Sequence, residues 1–117
     1  MNTTEKPRTV SRFIALNIAL ETIRNLRPLV KVLRQRHPKL ADQCERAADS
    51  VALNLAEGRR RQGRDRLHLW RIAAGSAEEV LACLWVAEAW GHLSCEQIEE
   101  TVDLLDQQLA ICFKLTH

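Results

Sequence analysis

The chain has no tyrosine, two phenylalanines, four glycines and three prolines among its 117 residues. Glycine and proline together fall well below the roughly 12% of an average protein, so the turn chemistry of a many-stranded β protein is missing. Long apolar runs are missing too. The longest without a charge, Val80 to Ala87, is closed by Glu79 and Glu88, far short of the ~20 residues a bilayer requires. The segment MNTTEKPRTV lacks the apolar core of a secretion signal, so the expectation is a cytoplasmic chain whose four cysteines stay reduced. What is present is 46% hydrophobic and 27% charged, too apolar for a disordered chain and too charged for a membrane span. Its length suits one domain, residues 1–117, with a core of its own.

A net charge of +2 conceals a segregation. Residues 1–71 hold 16 Lys/Arg against 7 Asp/Glu, and residues 72–117 hold 1 against 8. A basic half of this kind fits a polyanion-binding face, or a face that meets the acidic half of its own or a neighbouring chain.

Apolar spacing reads as four helices, at about 10–36, 39–60, 64–90 and 95–115, joined by short connections. In the first, Phe13, Leu16, Leu20, Ile23, Leu26, Val30 and Leu33 recur three and four apart, the period of one helical face. Pro28 lies inside it; the pattern resumes in register, so a kink rather than a break is expected. Pro38 suits the first position of the second helix, whose inward stripe is Leu40, Cys44, Ala47, Val51 and Leu55, with Gly58 and Gly63 around its stop. The third helix places Leu67, Trp70, Ala74, Ala77, Leu81 and Leu84 on one face, is apolar on others and reads as the most buried. Ser94 followed by Gln97 forms a capping box that opens the fourth, with Ile98, Val102, Leu105, Leu109 and Cys112 inward. Short connections between four long helices predict an all-α, antiparallel up-down-up-down four-helix bundle.

Catalytic apparatus is not visible. The cysteines at 44, 83, 95 and 112 and the histidines at 37, 68, 92 and 117 form no paired zinc pattern; only His92 and Cys95 have ligand-like spacing, and a metal site there is not expected. No Glu is followed by His three residues on, as a di-iron bundle requires. Neither a phosphate-binding glycine loop nor a nucleophile elbow occurs. The expectation is a non-enzymatic protein without cofactor.

Two constellations remain. Arg46, Ser50, Asn54, Glu57 and Arg61 follow one stripe of the second helix, and Ser76 and Glu79 lie on the third beside Gly75, where a backbone could approach closely. Together they are expected to form a buried polar network that fixes packing. The second constellation is basic. Arg59, Arg60, Arg61, Arg64 and Arg66 put five guanidinium groups in eight residues at the turn between the second and third helices. Arg24, Arg27, Lys31 and Arg34 add a stripe to the first helix. Guanidinium forks suit phosphate, so both sets are candidates for a nucleic-acid backbone. For the helix 1 stripe, pairing with Glu96, Glu99, Asp103 and Asp106 of the fourth helix is the favoured alternative, which leaves the turn cluster as the better phosphate candidate. Trp70, Trp85 and Trp90 all fall in the third helix, as core or interface anchors rather than base readers.

The run RAADSVALNLAEGRRR, followed by IAAGSAEEV, closely resembles the four-helix-bundle proteins encoded by intervening sequences of bacterial 23S ribosomal RNA genes. The match falls on Arg46, Ala47, Ser50, Asn54, Ala56, Glu57, Gly58 and Arg61, then on Ala73, Gly75, Ser76, Ala77 and Glu79. The chain is also similar to the accessory protein of diversity-generating retroelements. This resemblance implies a bundle that assembles into a homopentameric ring and, through the retroelement relative, a basic surface that meets nucleic acid and a reverse transcriptase. Pro28 and the Gly63-Arg64-Asp65 segment depart from the family pattern. The combined expectation is a homo-oligomer that binds RNA or DNA through the arginine turn; the alternative is a scaffold or adaptor for a protein partner, its arginines used in subunit or partner contacts.

Overall fold

The computed structural model describes residues 12–117, and among them every regular element is α-helical. The four helices are α1 (Ile14–Arg36), α2 (Pro38–Arg59), α3 (Gly63–Ala89) and α4 (Cys95–Thr116). Val10, the expected start, and the segment MNTTEKPRTV lie outside the described residues; among the described ones the helix begins later than expected, at Ile14, with Phe13 as its N-cap rather than within it.

Local chemistry accounts for the boundaries. The His37 ring Nδ1 accepts the Leu40 amide at 3.2 Å, and Pro38 follows at the first position, where no amide is needed. The capping box at Ser94 is complete: its hydroxyl accepts the Gln97 amide, and the Gln97 side chain accepts the Ser94 amide. At the end of α3, Gly91 takes φ +80°, which lets its own amide reach Glu88 O and the His92 amide reach Ala87 O. These are the two bonds of a Schellman cap. α1 runs unbroken through Pro28, which is exposed.

α1 packs on α2, α2 on α3, α3 on α4, and α4 on α1. The α1–α2 and α3–α4 grooves therefore lie on opposite faces. Arg34 reaches Asp42 and Glu45 near one end of the α1–α2 pair, while the Arg59 guanidinium lies 5.4 Å from the Phe13 ring centre near the other. Along α2 and α3, Ser50 meets Ser76 and Leu55 meets Trp70. The His37 and His92 rings stand edge-on at 5.7 Å, so the α1–α2 and α3–α4 turns share one end. The α2–α3 turn lies at the other.

Leu33, Leu55, Leu84 and Leu105 are fully buried, each stabilising the fold by roughly 1.5–3 kcal/mol relative to exposure. The inner faces differ in part from those the apolar spacing predicts. In the first half of α1, Ala15, Ala19 and Thr22 are buried, and Leu16, Leu20 and Ile23 are only half-buried. Alanines at the centre let neighbouring helices approach closely, with the larger side chains along the flanks. In α3, Ala73, Val80, Cys83 and Ala87 join Trp70, Ala77, Leu81 and Leu84 inside, and Leu67 and Ala74 are half-buried. In α4, Thr101, Gln108 and Thr116 face inward, and Val102 and Leu109 are half-buried.

The Thr22 and Thr116 hydroxyls donate to the carbonyls of Ile18 and Cys112, both at 2.8 Å, which meets their polar cost. Gln108 Nε2 donates to Ala15 O at 3.1 Å across the α1–α4 contact, while Gln108 Oε1 is buried without a hydrogen-bond partner among the described residues.

Candidate nucleic-acid interface

The arginine turn begins where α2 stops, and three of its five guanidinium groups make contacts within the chain itself. Arg66 Nε donates to Gly58 O at 3.1 Å and Nη2 to Arg59 O at 2.9 Å, satisfying carbonyls at the end of α2. The same guanidinium lies 5.2 Å from the Trp70 ring centre. Arg61 donates to Glu57 Oε2 at 2.7 Å and stands 3.9 Å from Asp65. Arg59 lies over the Phe13 ring and stays exposed. The Arg60 and Arg64 side chains are exposed and form no ion pair or hydrogen bond among the described residues. The turn is thus basic, but Glu57 and Asp65 offset part of its charge. Arg66 anchors its backbone instead of standing free as a phosphate ligand.

Trp70 fixes the root of this turn. Its Nε1 donates to Leu55 O at 3.2 Å, and its ring packs on Phe13 at 5.6 Å between centres. Gly58 and Gly63 bracket the end of α2 at Arg59, as expected, and Gly58 is in addition buried in the last turn of that helix. A Cβ there would lie 2.6 Å from both Cδ1 and Nε1 of the indole. Sequence reasoning missed both this contact and the carbonyl anchoring by Arg66.

The expected polar network is brought together only in part, and at the surface. Asn54 Nδ2 donates to Ser50 O and Oγ at 2.9 and 3.0 Å, and Ser76 Oγ donates to Ser50 Oγ at 2.7 Å. These three residues are half-buried. Glu57 and Arg61 form their own exposed pair one turn further on. Arg46 and Glu79 are exposed and take no part. Small side chains can meet across α2 and α3, whereas the long charged ones extend to water. Gly75 is exposed, with nothing within 4 Å of a Cβ built on it, so no close approach occurs there within the described chain.

The helix 1 stripe does not pair with α4. Arg34 bonds Asp42 at 2.7 Å and Glu45 at 2.9 Å on α2, and the Asp42 hydrogen bond raises its pKa against a smaller lowering by desolvation. Arg24 pairs with Glu21 on its own helix. Arg27 and Lys31 form no ion pair among the described residues, and neither do the five acids of α4. The reason lies in the packing. Arg27, Lys31 and Arg34 line the α1–α2 groove, a space of about 760 Å³. Glu96, Glu99 and Asp103 line the α3–α4 groove, about 560 Å³, on the opposite face.

Trp70 is buried, as a core anchor requires, while Trp85 and Trp90 are 54% and 70% exposed. Leu53 and Phe113 are exposed as well.

All four thiols are free. Burial is the main cause that raises the Cys44, Cys83 and Cys112 pKa values, Cys44 to about 12. Cys95 is exposed and its thiol donates to Glu88 at 3.5 Å, which raises its pKa. His92 meets His37 rather than a ligand partner, and among the described residues no cluster of three His, Cys, Asp or Glu is placed to hold a metal. No helix of the described chain is long and apolar enough to cross a membrane.

Fold and site together define an all-α, four-helix protein with a basic turn anchored on an indole. The sequence profile of the 23S rRNA-intervening sequence proteins matches residues 13–113, and the chain belongs to that family. It is similar in fold to a crystal structure from Bacteroides thetaiotaomicron, a protein of unknown function from the S23 ribosomal protein family. The TM-score is 0.76 at 21% identity, over 87% of this chain and 97% of that one. No curated protein matches the chain.

Proposed function

We propose that this chain is a non-enzymatic, cytoplasmic four-helix bundle of antiparallel up-down-up-down course. It assembles as a homo-oligomer, a pentamer on the family resemblance, and associates with RNA or DNA through the α2–α3 turn. One observation supports the nucleic-acid reading most: the Arg60 and Arg64 guanidinium groups stand exposed without a hydrogen-bond or ion-pair partner among the described residues, on a turn whose backbone Arg66 and Trp70 hold in place. A fixed turn presenting exposed guanidinium groups suits phosphate without selecting sequence. The antiparallel course is supported by the pairs Arg34–Asp42, Ser50–Ser76 and Glu88–Cys95. A non-enzymatic role is supported by buried thiols held away from the thiolate form.

Fluorescence anisotropy with structured RNA, duplex DNA and single strands, at rising salt, tests this reading. Affinity should fall steeply with salt, because each neutralised phosphate releases counterions. Arg60→Ser with Arg64→Ser should weaken binding and flatten that slope, with the thermal midpoint unchanged. Absence of binding near physiological salt would shift the reading to a scaffold or adaptor for a protein partner. Exposed Leu53 on α2, Ile72 and Val86 on α3, and Trp90 just past the end of α3 favour that second reading.

A further inference from the structure

We propose that a second copy of this chain docks its α1–α2 groove onto the α3–α4 groove of the first. This rests on the homo-oligomer reading and names the two surfaces. The argument begins with charge that the chain leaves unneutralised. The basic stripe and the acidic helix belong to one molecule, yet they sit on opposite faces and form no ion pair with each other. The first groove is also lined by Glu45, which pairs with Arg34, and by Asp49, so its surplus is Arg27 and Lys31 against Asp49. Glu88, Glu96, Glu99 and Asp103 leave the other groove acidic. Apart from Arg34 and Glu45, none of these groups forms an ion pair among the described residues.

The two bands also stand at the same height. The His37–His92 contact puts the C-terminal end of α1 beside the N-terminal end of α4. Arg27, Lys31 and Arg34 lie within nine residues of Arg36, and Glu96, Glu99 and Asp103 within eight of Cys95. At 1.5 Å per residue both bands fall within about 14 Å of that end. Copies set side by side, all pointing the same way, then bring plus against minus without an axial shift. A closed ring needs that condition, since an axial offset would build a filament.

Each groove also has an apolar floor. Ile23, Leu26 and Val30 line the basic one. Trp85 stands 54% exposed in the acidic one, above Ile98 and Val102. A half-exposed indole ringed by charge has the composition of an interface anchor.

Charge reversal tests the assignment, read by sedimentation velocity at two salt concentrations and by circular dichroism. Arg27→Glu with Lys31→Glu, and separately Glu99→Lys with Asp103→Lys, should each leave helix content unchanged. Each should raise the concentration for half-assembly on the order of 100-fold by setting like charges opposite one another. All four substitutions in one chain should restore assembly. Reversal variants that assemble like the wild type, or no rescue in the combined chain, would overturn this pair of surfaces and leave the oligomer reading standing. A wild type that stays monomeric at every concentration overturns both.

Discussion

Gly58 and Trp70 interlock. The indole occupies the space a side chain at 58 would need, with Cδ1 and Nε1 both 2.6 Å from the Cβ position, and its ring nitrogen donates to Leu55 O one turn earlier. Both clashing atoms belong to a buried, hydrogen-bonded ring that cannot swing aside. Gly58→Ala should therefore destabilise the fold by about 1–3 kcal/mol, despite alanine's better helix propensity. Thermal unfolding checks this, and Trp70→Leu should abolish most of the difference between glycine and alanine at 58 in a double-mutant cycle. Equal midpoints for wild type and Gly58→Ala would refute the interlock.

Ser50 links the two helices that carry the family motifs, accepting from Asn54 and from Ser76. Ser50→Ala removes the shared oxygen from both donors, yet the site is half-open to water, which can replace it. The expected loss is about 0.5–1.5 kcal/mol, below that of a fully buried network. A larger loss in urea titrations of the monomeric fold would show that the group is more deeply dried than its exposure implies.

Gln108 is buried with its Oε1 lacking a partner among the described residues. Gln108→Leu removes that unsatisfied acceptor. It also removes the donor to Ala15 O, a carbonyl that an α1 amide four residues on is placed to use. The expected outcome is a midpoint equal to or above wild type, against the usual penalty of about 1 kcal/mol for a core substitution. Calorimetry showing a clear loss would mean that the Ala15 contact outweighs the orphaned oxygen.

Burial sets the alkaline limit of the fold. The Cys44 pKa is pushed from 9.0 up to about 12, mainly by desolvation, and Cys83 and Cys112 move the same way. The folded protein thus holds these protons more tightly than the unfolded chain does. Their contribution to stability is intact below about pH 9 and is lost as pH climbs toward 12. Urea midpoints should fall across that window, and Cys44→Ala should flatten the fall. Ellman titration of the native protein at pH 8 should modify Cys95 ahead of the three buried thiols.

Helix number, helix ends and the capping box were legible in the sequence because each depends on neighbours within a turn or two. Pro38, Ser94 and Gln97 act locally, and the structure places them as their chemistry predicts. What escaped depends on partners across helices. Nothing near Gly58 announces an indole twelve residues on, so its place beside the helix stop was legible and its packing contact was not. Gln108 sits one position from Leu109, and apolar spacing, which ranks leucine above glutamine at an inward position, gives no sign that it is buried. The arginine turn was visible as a count of charges, but a count does not show that Arg66 is spent on carbonyls and Arg61 on Glu57. The helix 1 stripe and the acids of α4 looked like natural partners until the packing order put them on opposite faces.

The edge-on meeting of His37 and His92 leaves the molecule with two unlike poles. Cys95, the exposed thiol, belongs to the histidine pole, and the arginine turn lies at the far end of α2, whose 22 residues span about 33 Å. A fluorophore on Cys95 would rest in the acidic groove, a helix length away from the guanidinium groups. Its anisotropy would follow the joining of subunits, while quenching by a dye-labelled oligonucleotide would follow events at the opposite pole. One labelled protein could thus report both processes as separate optical signals.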